Sequence, residues 1–489
     1  MDDVTIYNNE QGERIQKKLK NIKFIFFILI IIILQIILIK SILSKNSKNT
    51  NNTIKIIESE NWKIIKTENY KNYSNYKINE TILKIALLSD SHIDIYNPLK
   101  TPFIQTLKQS LQTIKNQKVD VIIFAGDLVD TASKESFLLW KKIYHEIFPL
   151  NSSSPILLLI MGNHDYYLNN NNYYLSINQT RTLFEETFNQ KFQDHYLIND
   201  FHFILWGNID DENNNKSKCN FNWVKYEIEK IIKNDKNEEK NFPIFVITHF
   251  PPLNTTHQSN FWGNKYINLG LNNYNNIINL CGHSHSSLID ERAIDQFNFT
   301  VINSQSTSRV CTEKSENGYI AKDEFGNDNI SYKNYMGVIL FLKKGFIEVK
   351  RIFLDDNSFY NKFWVIPFPI FHYNFNYTFN RVKFRNKPFF DQDLNVSVYK
   401  KNDKYYIKFK QAIHEDFVYG YNITFYNDNY NKTYKYISDF FLKEKDRREY
   451  ITFLLNNNLT KGKYNITIIA YDSFEITSLN NITKEIELQ

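Results

Sequence analysis

The stretch Ser154–Leu168, which reads SPILLLIMGNHDYYL, gives the clearest indication of the fold. Its first half is an aliphatic run of the kind that a sheet buries as a strand. The run ends abruptly at Gly162-Asn163-His164-Asp165, which places an amide, an imidazole and a carboxylate side by side. A buried strand that stops at three such side chains indicates a functional site at its carboxyl end.

Four other aliphatic runs end in the same way. Helix-period segments such as PFIQTLKQSLQTIKNQ (102–117) separate the runs, which indicates the α/β class. Ligands of open α/β sheets bind beyond the carboxyl ends of the strands, so we expect one cluster of side chains there. Each pattern alone is also explained by a turn or a helix cap, but five together are not. The four runs end in Asp90-Ser91-His92, in Asp127 with Asp130, in His249, and in His283 with His285.

These side chains are suited to binding metal. Carboxylates, amide oxygens and imidazoles together favour divalent Mn, Fe or Zn. Their number exceeds the four ligands that one structural zinc ion takes, so we expect two ions that share a carboxylate. Two ions about 3.5–4 Å apart turn a bound water into hydroxide and neutralise phosphoryl oxygens. A histidine that is not a ligand can then protonate the leaving oxygen.

The five motif blocks resemble those of the calcineurin-like metallophosphoesterases, over about Leu83–Arg351. The resemblance implies a sandwich of two mixed sheets flanked by helices. It also implies that His164 protonates the leaving group, while Asp130 and Asp165 support the site. Finally, it implies that Asp90, His92 and His285 bind the first metal, that Asn163, His249 and His283 bind the second, and that Asp127 bridges both.

The second block distinguishes branches of this family. Many of its protein phosphatases continue this block as Asp-Arg-Gly, whereas this chain reads GDLVDTASKE (126–135), which argues against a Ser/Thr protein phosphatase. The order of a membrane segment, a phosphoesterase domain and an immunoglobulin-like β domain is similar to that of the transmembrane protein 62 branch. We therefore expect a phosphoesterase domain at 81–371 and an immunoglobulin-like β-sandwich at 372–489, where alternating apolar and polar runs predominate.

Residues 23–43, KFIFFILIIIILQIILIKSIL, form a long apolar run. About twenty apolar residues cross a hydrocarbon layer of about 30 Å, so we predict a transmembrane helix at 23–43. A cleaved signal peptide is the alternative. More Lys and Arg residues precede the run than follow it, which places the tail 1–22 in the cytosol. The linker 44–80 and both domains would then be lumenal or extracellular, within the secretory pathway.

Further features of the composition agree with this placement. Glycosylation sequons, such as those at Asn72, Asn254 and Asn422, begin only after the apolar run. A net charge of +6 without a dense basic stripe argues against nucleic-acid binding. Three cysteines allow one disulfide, for which we expect Cys219–Cys311.

The sequence therefore predicts a membrane-anchored dimetal phosphoesterase acting on a phosphate monoester or diester. A lipid-linked ester is one candidate substrate, because the anchor keeps the site near a bilayer. One alternative is a non-catalytic binding or scaffold protein whose β-sandwich docks a protein partner and whose metal site is vestigial. Another is a dimetal site that hydrolyses a different bond, as in a nucleotide sugar or a lipid headgroup.

Overall fold

The structure is a computed structural model that describes residues 56–58, 62–96, 101–150, 154–167, 176–207, 221–234, 242–317, 334–391, 394–455 and 459–488. The predicted cytosolic tail at 1–22 and membrane helix at 23–43 lie outside these residues. None of the helices in the described ranges has the length and apolar character that crossing a membrane requires.

The first part of the described chain alternates strands and helices. Its helices are α1 (Thr101–Asn116), α2 (Lys134–Ile147), α3 (Ile177–Phe188), α4 (Phe221–Asn234), α5 (Ser259–Trp262) and α6 (Lys265–Leu271). Its strands are β1 (Ile56–Glu58), β2 (Lys63–Ile65), β3 (Thr81–Leu88), β4 (Val121–Ala125), β5 (Ile156–Ile160), β6 (Asp194–Ile198), β7 (Phe201–Leu205), β8 (Ile244–Ile247), β9 (Ile277–Cys281), β10 (Ile294–Gln296), β11 (Thr300–Asn303), β12 (Met336–Lys343), β13 (Phe346–Phe353) and β14 (Phe359–Pro367).

These strands form two mixed sheets. The larger sheet has the order β1-β2-β6-β7-β8-β9-β11-β10, and the smaller has the order β14-β13-β12-β3-β4-β5. Strands β3, β4 and β5 are parallel, whereas β12 runs antiparallel to β3. Likewise β7, β8 and β9 are parallel and β6 is antiparallel to β7. The predicted mixed α/β architecture is therefore confirmed.

Burial on both faces explains why the strands are aliphatic throughout. On β3, Ala86 and Leu88 pack in a cluster with side chains of α1, α2 and α3. Ile85 and Leu87 point to the opposite face and are also fully buried. A strand covered on both faces needs apolar residues at every position rather than at alternate ones. Helices thus cover one face of the smaller sheet, and β5 contacts β7 of the larger sheet.

The later part of the chain is all-β. Its strands are β15 (Val396–Lys401), β16 (Lys404–Lys410), β17 (Gly420–Asn427), β18 (Tyr430–Ile437), β19 (Tyr450–Leu454), β20 (Gly462–Tyr471) and β21 (Ile482–Leu488). They form a three-stranded sheet, β15-β16-β19, and a four-stranded sheet, β18-β17-β20-β21. Phe409 and Phe453 of the first sheet share one buried cluster with Ile423 and Ile466 of the second. The predicted boundary at 371/372 falls between β14 and β15.

One expectation differs from the structure. Strands β1 and β2 lie inside the expected linker 44–80, and β2 pairs in parallel with β6 of the larger sheet. Burial of Ile65 against that sheet stabilises a strand too short to be recognised by periodicity. The expected Cys219–Cys311 disulfide stays a prediction, because Cys219 lies outside the described residues.

Candidate active site

The five strand ends converge at one place, but they come from two sheets. Strands β3, β4 and β5 are neighbours in the smaller sheet, and β8 and β9 are neighbours in the larger one. The sheets meet where the Nδ1 atom of His249, just after β8, lies 2.7 Å from the carbonyl oxygen of Ala125 at the end of β4. The site is therefore built at the seam between the sheets.

The first cluster of candidate ligands contains Asp90, His92, Asp127 and His285, all buried. The Nε2 atoms of His92 and His285 are 3.0 Å apart, and His285 Nε2 is 3.1 Å from Asp90 Oδ1. His92 Nε2 is also 3.6 Å from Asp127 Oδ2. Ligand atoms from all four residues thus face one small volume.

The second cluster contains Asp127, His249 and His283. The Nε2 atom of His249 is 3.2 Å from Asp127 Oδ2 and 3.2 Å from His283 Nδ1. The same Nε2 atom is 3.1 Å from the amide oxygen of Asn163, which adds a fourth oxygen or nitrogen donor. All seven predicted metal ligands are therefore brought together in two adjoining groups.

Asp127 belongs to both groups. Its Oδ1 atom accepts a hydrogen bond of 2.8 Å from the backbone N–H of His164. Its Oδ2 atom is buried and makes no hydrogen bond within the described part of the chain, although it lies between His92 and His249. A buried carboxylate oxygen without a hydrogen-bond partner is costly, and cations would satisfy it. The residues present thus fit two divalent ions with Asp127 shared between them.

Five of the seven predicted ligands have positive backbone φ angles: 57° at Asp90, 45° at His92, 52° at Asp127, 69° at His283 and 54° at His285. Residues other than glycine rarely occupy this left-handed region, and their concentration at one place marks stored strain at a functional site.

A glycine lets the backbones approach closely here. Gly126 has φ of 88°, and a Cβ atom added to it would lie 2.5 Å from His249 Nδ1. The glycine before Asp127 is therefore needed both for its conformation and for the position of His249.

The charges of the site balance one another. Burial alone would raise the pKa values of Asp90 and Asp127, but the neighbouring histidines lower both below their ordinary value. Burial alone would lower the pKa of His249, but the charge of Asp127 raises it to about 9. Burial lowers the pKa of His283 to about 3 and that of His285 to about 4. Burial alone would also lower the pKa of His92, but the carboxylates of Asp130, Asp90 and Asp127 raise it. Metal binding requires ionised carboxylates and neutral imidazoles, so His283 and His285 are ready to bind, whereas His92 and His249 would release a proton when a divalent ion binds.

His164 belongs to neither group around Asp127, but its ring lies edge-on to that of His92, with 4.5 Å between the centroids, and forms a third group with His92 and Asp130. Its side chain is 26% exposed, and its Nδ1 atom lies 3.1 Å from the backbone oxygen of Asp130 and 3.4 Å from Oδ1 of the same residue. Asp130 Oδ1 is also 3.2 Å from His92 Nδ1, the ring atom of His92 that faces away from His285. Metal-ligating histidines commonly donate this second N–H to a carboxylate, which fixes the tautomer. Asp130 therefore orients both rings.

Asp165 is buried and supports the backbone of the site. Its carboxylate accepts hydrogen bonds from the backbone N–H groups of Gly162, Leu128 and Val129. These bonds tie the turn after β4 to the turn after β5. Burial and the charge of Asp127 raise the pKa of Asp165 to about 7.

One residue near the site, Arg309, carries only a weak sequence signal. Arg309 follows β11 in a buried run of small polar residues, and its charge acts on both His285 and Cys311. A lone Arg after the short strand TVIN (300–303) was the one available clue. By contrast, Cys281 lies beside the site in sequence but its thiol donates to the carbonyl of Ile302, away from the clusters.

Comparison with protein families finds one match in this part of the chain. Residues 83–287 match the sequence profile of the family described as calcineurin-like phosphoesterase. The match spans all five motif blocks, from Asp90 to His285, and agrees with the resemblance that these motifs indicate.

Solved structures similar to this chain include three at low identity. A dimetal phosphatase from Danio rerio is 10% identical, with a TM-score of 0.37, covering 59% of this chain and 100% of that one. Purple acid phosphatase PPD1 from yellow lupin is 11% identical, with a TM-score of 0.36, covering 63% and 56%. Vps29 from Entamoeba histolytica, complexed with zinc, is 10% identical, with a TM-score of 0.23, covering 58% and 99%. No curated protein matches the chain significantly.

Proposed function

We propose that this protein is a dimetal phosphoesterase that hydrolyses a phosphate monoester or diester. The observation that carries the proposal is Asp127, whose buried Oδ2 atom lies 3.6 Å from His92 Nε2 in one group and 3.2 Å from His249 Nε2 in the other. A shared carboxylate of this kind is the feature that a two-ion site needs and a single-ion site does not.

The ligand roles follow the two groups. Asp127 would contact both ions, and two divalent ions would supply an activated water at neutral pH and positive charge for the phosphoryl oxygens. Mn, Fe and Zn all suit this mixture of oxygen and nitrogen donors. The first ion would be held by Asp90, His92 and His285, and the second by Asn163, His249 and His283.

His164 would donate the proton to the leaving oxygen. Its Nδ1–H points to the backbone oxygen and the carboxylate of Asp130, so the Nε2 atom is the one available to substrate. The carboxylate of Asp130 would stabilise the protonated ring and hold it at a fixed angle. The exposure of His164 is greater than that of the buried ligands such as Asp90, His92 and His285, as contact with a substrate requires.

The placement of the protein in the cell is part of the same proposal. The apolar run at 23–43 supports a single membrane anchor, and the sequons after it support a lumenal or extracellular catalytic domain. Seven strands in sheets of three and four support an immunoglobulin-like sandwich for the C-terminal region. This combination of parts supports membership of the transmembrane protein 62 branch.

The experiment is a metal-dependence assay on the purified full-length protein. Metals are removed by chelation and Mn²⁺ is restored, and hydrolysis of nitrophenyl phosphate and of bis(nitrophenyl) phosphate is followed. We expect cleavage only after Mn²⁺ is restored, and the ratio of the two rates distinguishes a monoesterase from a diesterase. No cleavage together with no bound metal would overturn the proposal in favour of a scaffold.

A further inference from the structure

A cleft of about 670 Å³ opens beside the metal-ligand groups. The segment 254–262, which follows β8, forms one side, and residues at 379–381 and 474–475 contribute from the C-terminal part of the chain. The ring of Trp262 lies edge-on to the ring of His283, with 5.7 Å between the centroids. The cleft therefore begins one side chain away from a predicted metal ligand, and its volume is that of a small-molecule site.

The two sides of the cleft are held together by a largely buried polar network. Glu313 lies 3.0 Å from His257 Nε2, 3.4 Å from Arg292 and 2.7 Å from Lys435 of β18. The hydroxyl of Tyr419, in the all-β region, lies 3.3 Å from His257 Nε2. The all-β region is thus fixed against the phosphoesterase domain at the cleft, so the cleft is preformed.

Aromatic rings line the cleft and remain exposed. Phe261 is 79% exposed, Trp262 is 36% exposed and Phe379 is 77% exposed, and Phe474 lies beside them. Large exposed aromatic side chains gathered at one concave surface are typical of ligand sites. Flat groups with an apolar face stack on such rings.

The charges around the cleft cancel. Burial and the charge of Arg292 lower the pKa of His257, so its ring is neutral at pH 7. Three positively charged side chains and three negatively charged ones line the cleft: Arg292, Lys314 and Arg381, and Asp295, Glu313 and Glu475. A cleft without net charge favours an uncharged occupant.

We propose that this cleft binds the alcohol part of the phosphate ester substrate, as an uncharged group with a flat apolar face. The inference rests on the proposed phosphoesterase function, which places the phosphate at the predicted metal ligands beyond Trp262. Two sources carry this chemistry, a nucleobase with its ribose and a hexose ring. Both present a flat apolar face that stacks on aromatic side chains such as Trp262 and Phe379.

The test measures binding of adenosine and of methyl glucoside to the metal-free, full-length protein by titration calorimetry. The short helix Phe379–Phe384 provides a matched pair of variants, because Phe379 lines the cleft whereas Phe384 is 86% exposed and does not. We expect Phe379→Ala to weaken binding about tenfold, within the range of single aromatic stacking contacts, and Phe384→Ala to leave it unchanged.

The same titrations distinguish the two candidate occupants, a nucleoside and a hexose. Binding of adenosine alone supports a nucleotide substrate, and binding of methyl glucoside alone supports a sugar phosphate. No binding of either probe, or equal losses in the two variants, overturns the inference. Neither probe carries phosphate and no metal is present, so the binding result does not depend on catalysis. If a probe binds but the metal-loaded protein does not hydrolyse the matching phosphate ester, the proposed phosphoesterase activity is contradicted while the cleft remains a binding site.

Discussion

Replacing His164 by Gln should slow hydrolysis while both metals stay bound. The ring lies outside the two groups around Asp127 and contacts Asp130, at 3.1 Å and 3.4 Å from its Nδ1 atom. Loss of one such hydrogen bond costs about 0.5–1.5 kcal/mol of stability, so the variant should fold. Loss of a general acid costs about 10²–10⁴-fold in rate, or about 2.7–5.5 kcal/mol in the barrier.

The assay compares two monoesters that differ in their leaving group. Nitrophenolate leaves readily without a proton, whereas an alkoxide requires one, so the loss should be much larger for an alkyl phosphate than for nitrophenyl phosphate. His372→Gln is the matched control, because His372 also makes a 3.1 Å hydrogen bond to a backbone oxygen, that of Asn298. This control should change neither rate.

Two results would refute the reasoning. If His164→Gln reduced the metal content measured by elemental analysis, His164 would be a ligand rather than an acid. If the two esters lost rate by the same factor, the ring would act in binding the phosphoryl group rather than in protonating the leaving oxygen.

Three further changes test other parts of the structure. Asp127→Asn should reduce the metal content of the protein and abolish hydrolysis, because it removes the shared charge; two ions retained per chain would contradict this. Gly282→Ala should displace a ligand, since the added Cβ would lie 2.5 Å from Ser89 Oγ and 2.6 Å from Asp90 Oδ2; unchanged metal affinity would show that the loop adapts. Burial and the charge of a neighbouring histidine lower the pKa of His202 to about 3. Between pH 6.5 and this value, the His202 ring is therefore protonated in the unfolded chain but neutral in the folded protein. The free energy of unfolding should therefore fall by about 1.4 kcal/mol per pH unit from pH 6.5 towards pH 4, and His202→Gln should remove this slope in urea titrations; equal slopes would refute it.

The sequence predicted the strand ends well because each aliphatic run stops at a chemically distinct residue. It did not show that His249 and His283 belong to a different sheet from Asp90, since strand pairing is decided by contacts distant in the chain. Strand β2 was assigned to a linker because three residues are too few to display a period.

The cleft could not be predicted from the sequence, for a related reason. Its buried network joins His257, Glu313, Tyr419 and Lys435, which have no common spacing and no shared motif. Such a cluster exists only once the all-β region has packed against the mixed α/β region. Sequence patterns report local periodicity, and this feature has none.

The left-handed backbone at the predicted metal ligands restricts which residues can replace them. Apart from glycine, the residues that occupy this conformation most readily are Asn, Asp and His, and these are also good ligands for divalent ions. Exchanges among the three at positions such as Asp90 or His283, which are not shared between the two groups, should therefore alter metal preference without refolding the loops. Val, Ile and Thr are excluded there by the main chain before any ion is bound. The backbone conformation of these loops thus limits substitution at these positions to residues that can coordinate metal.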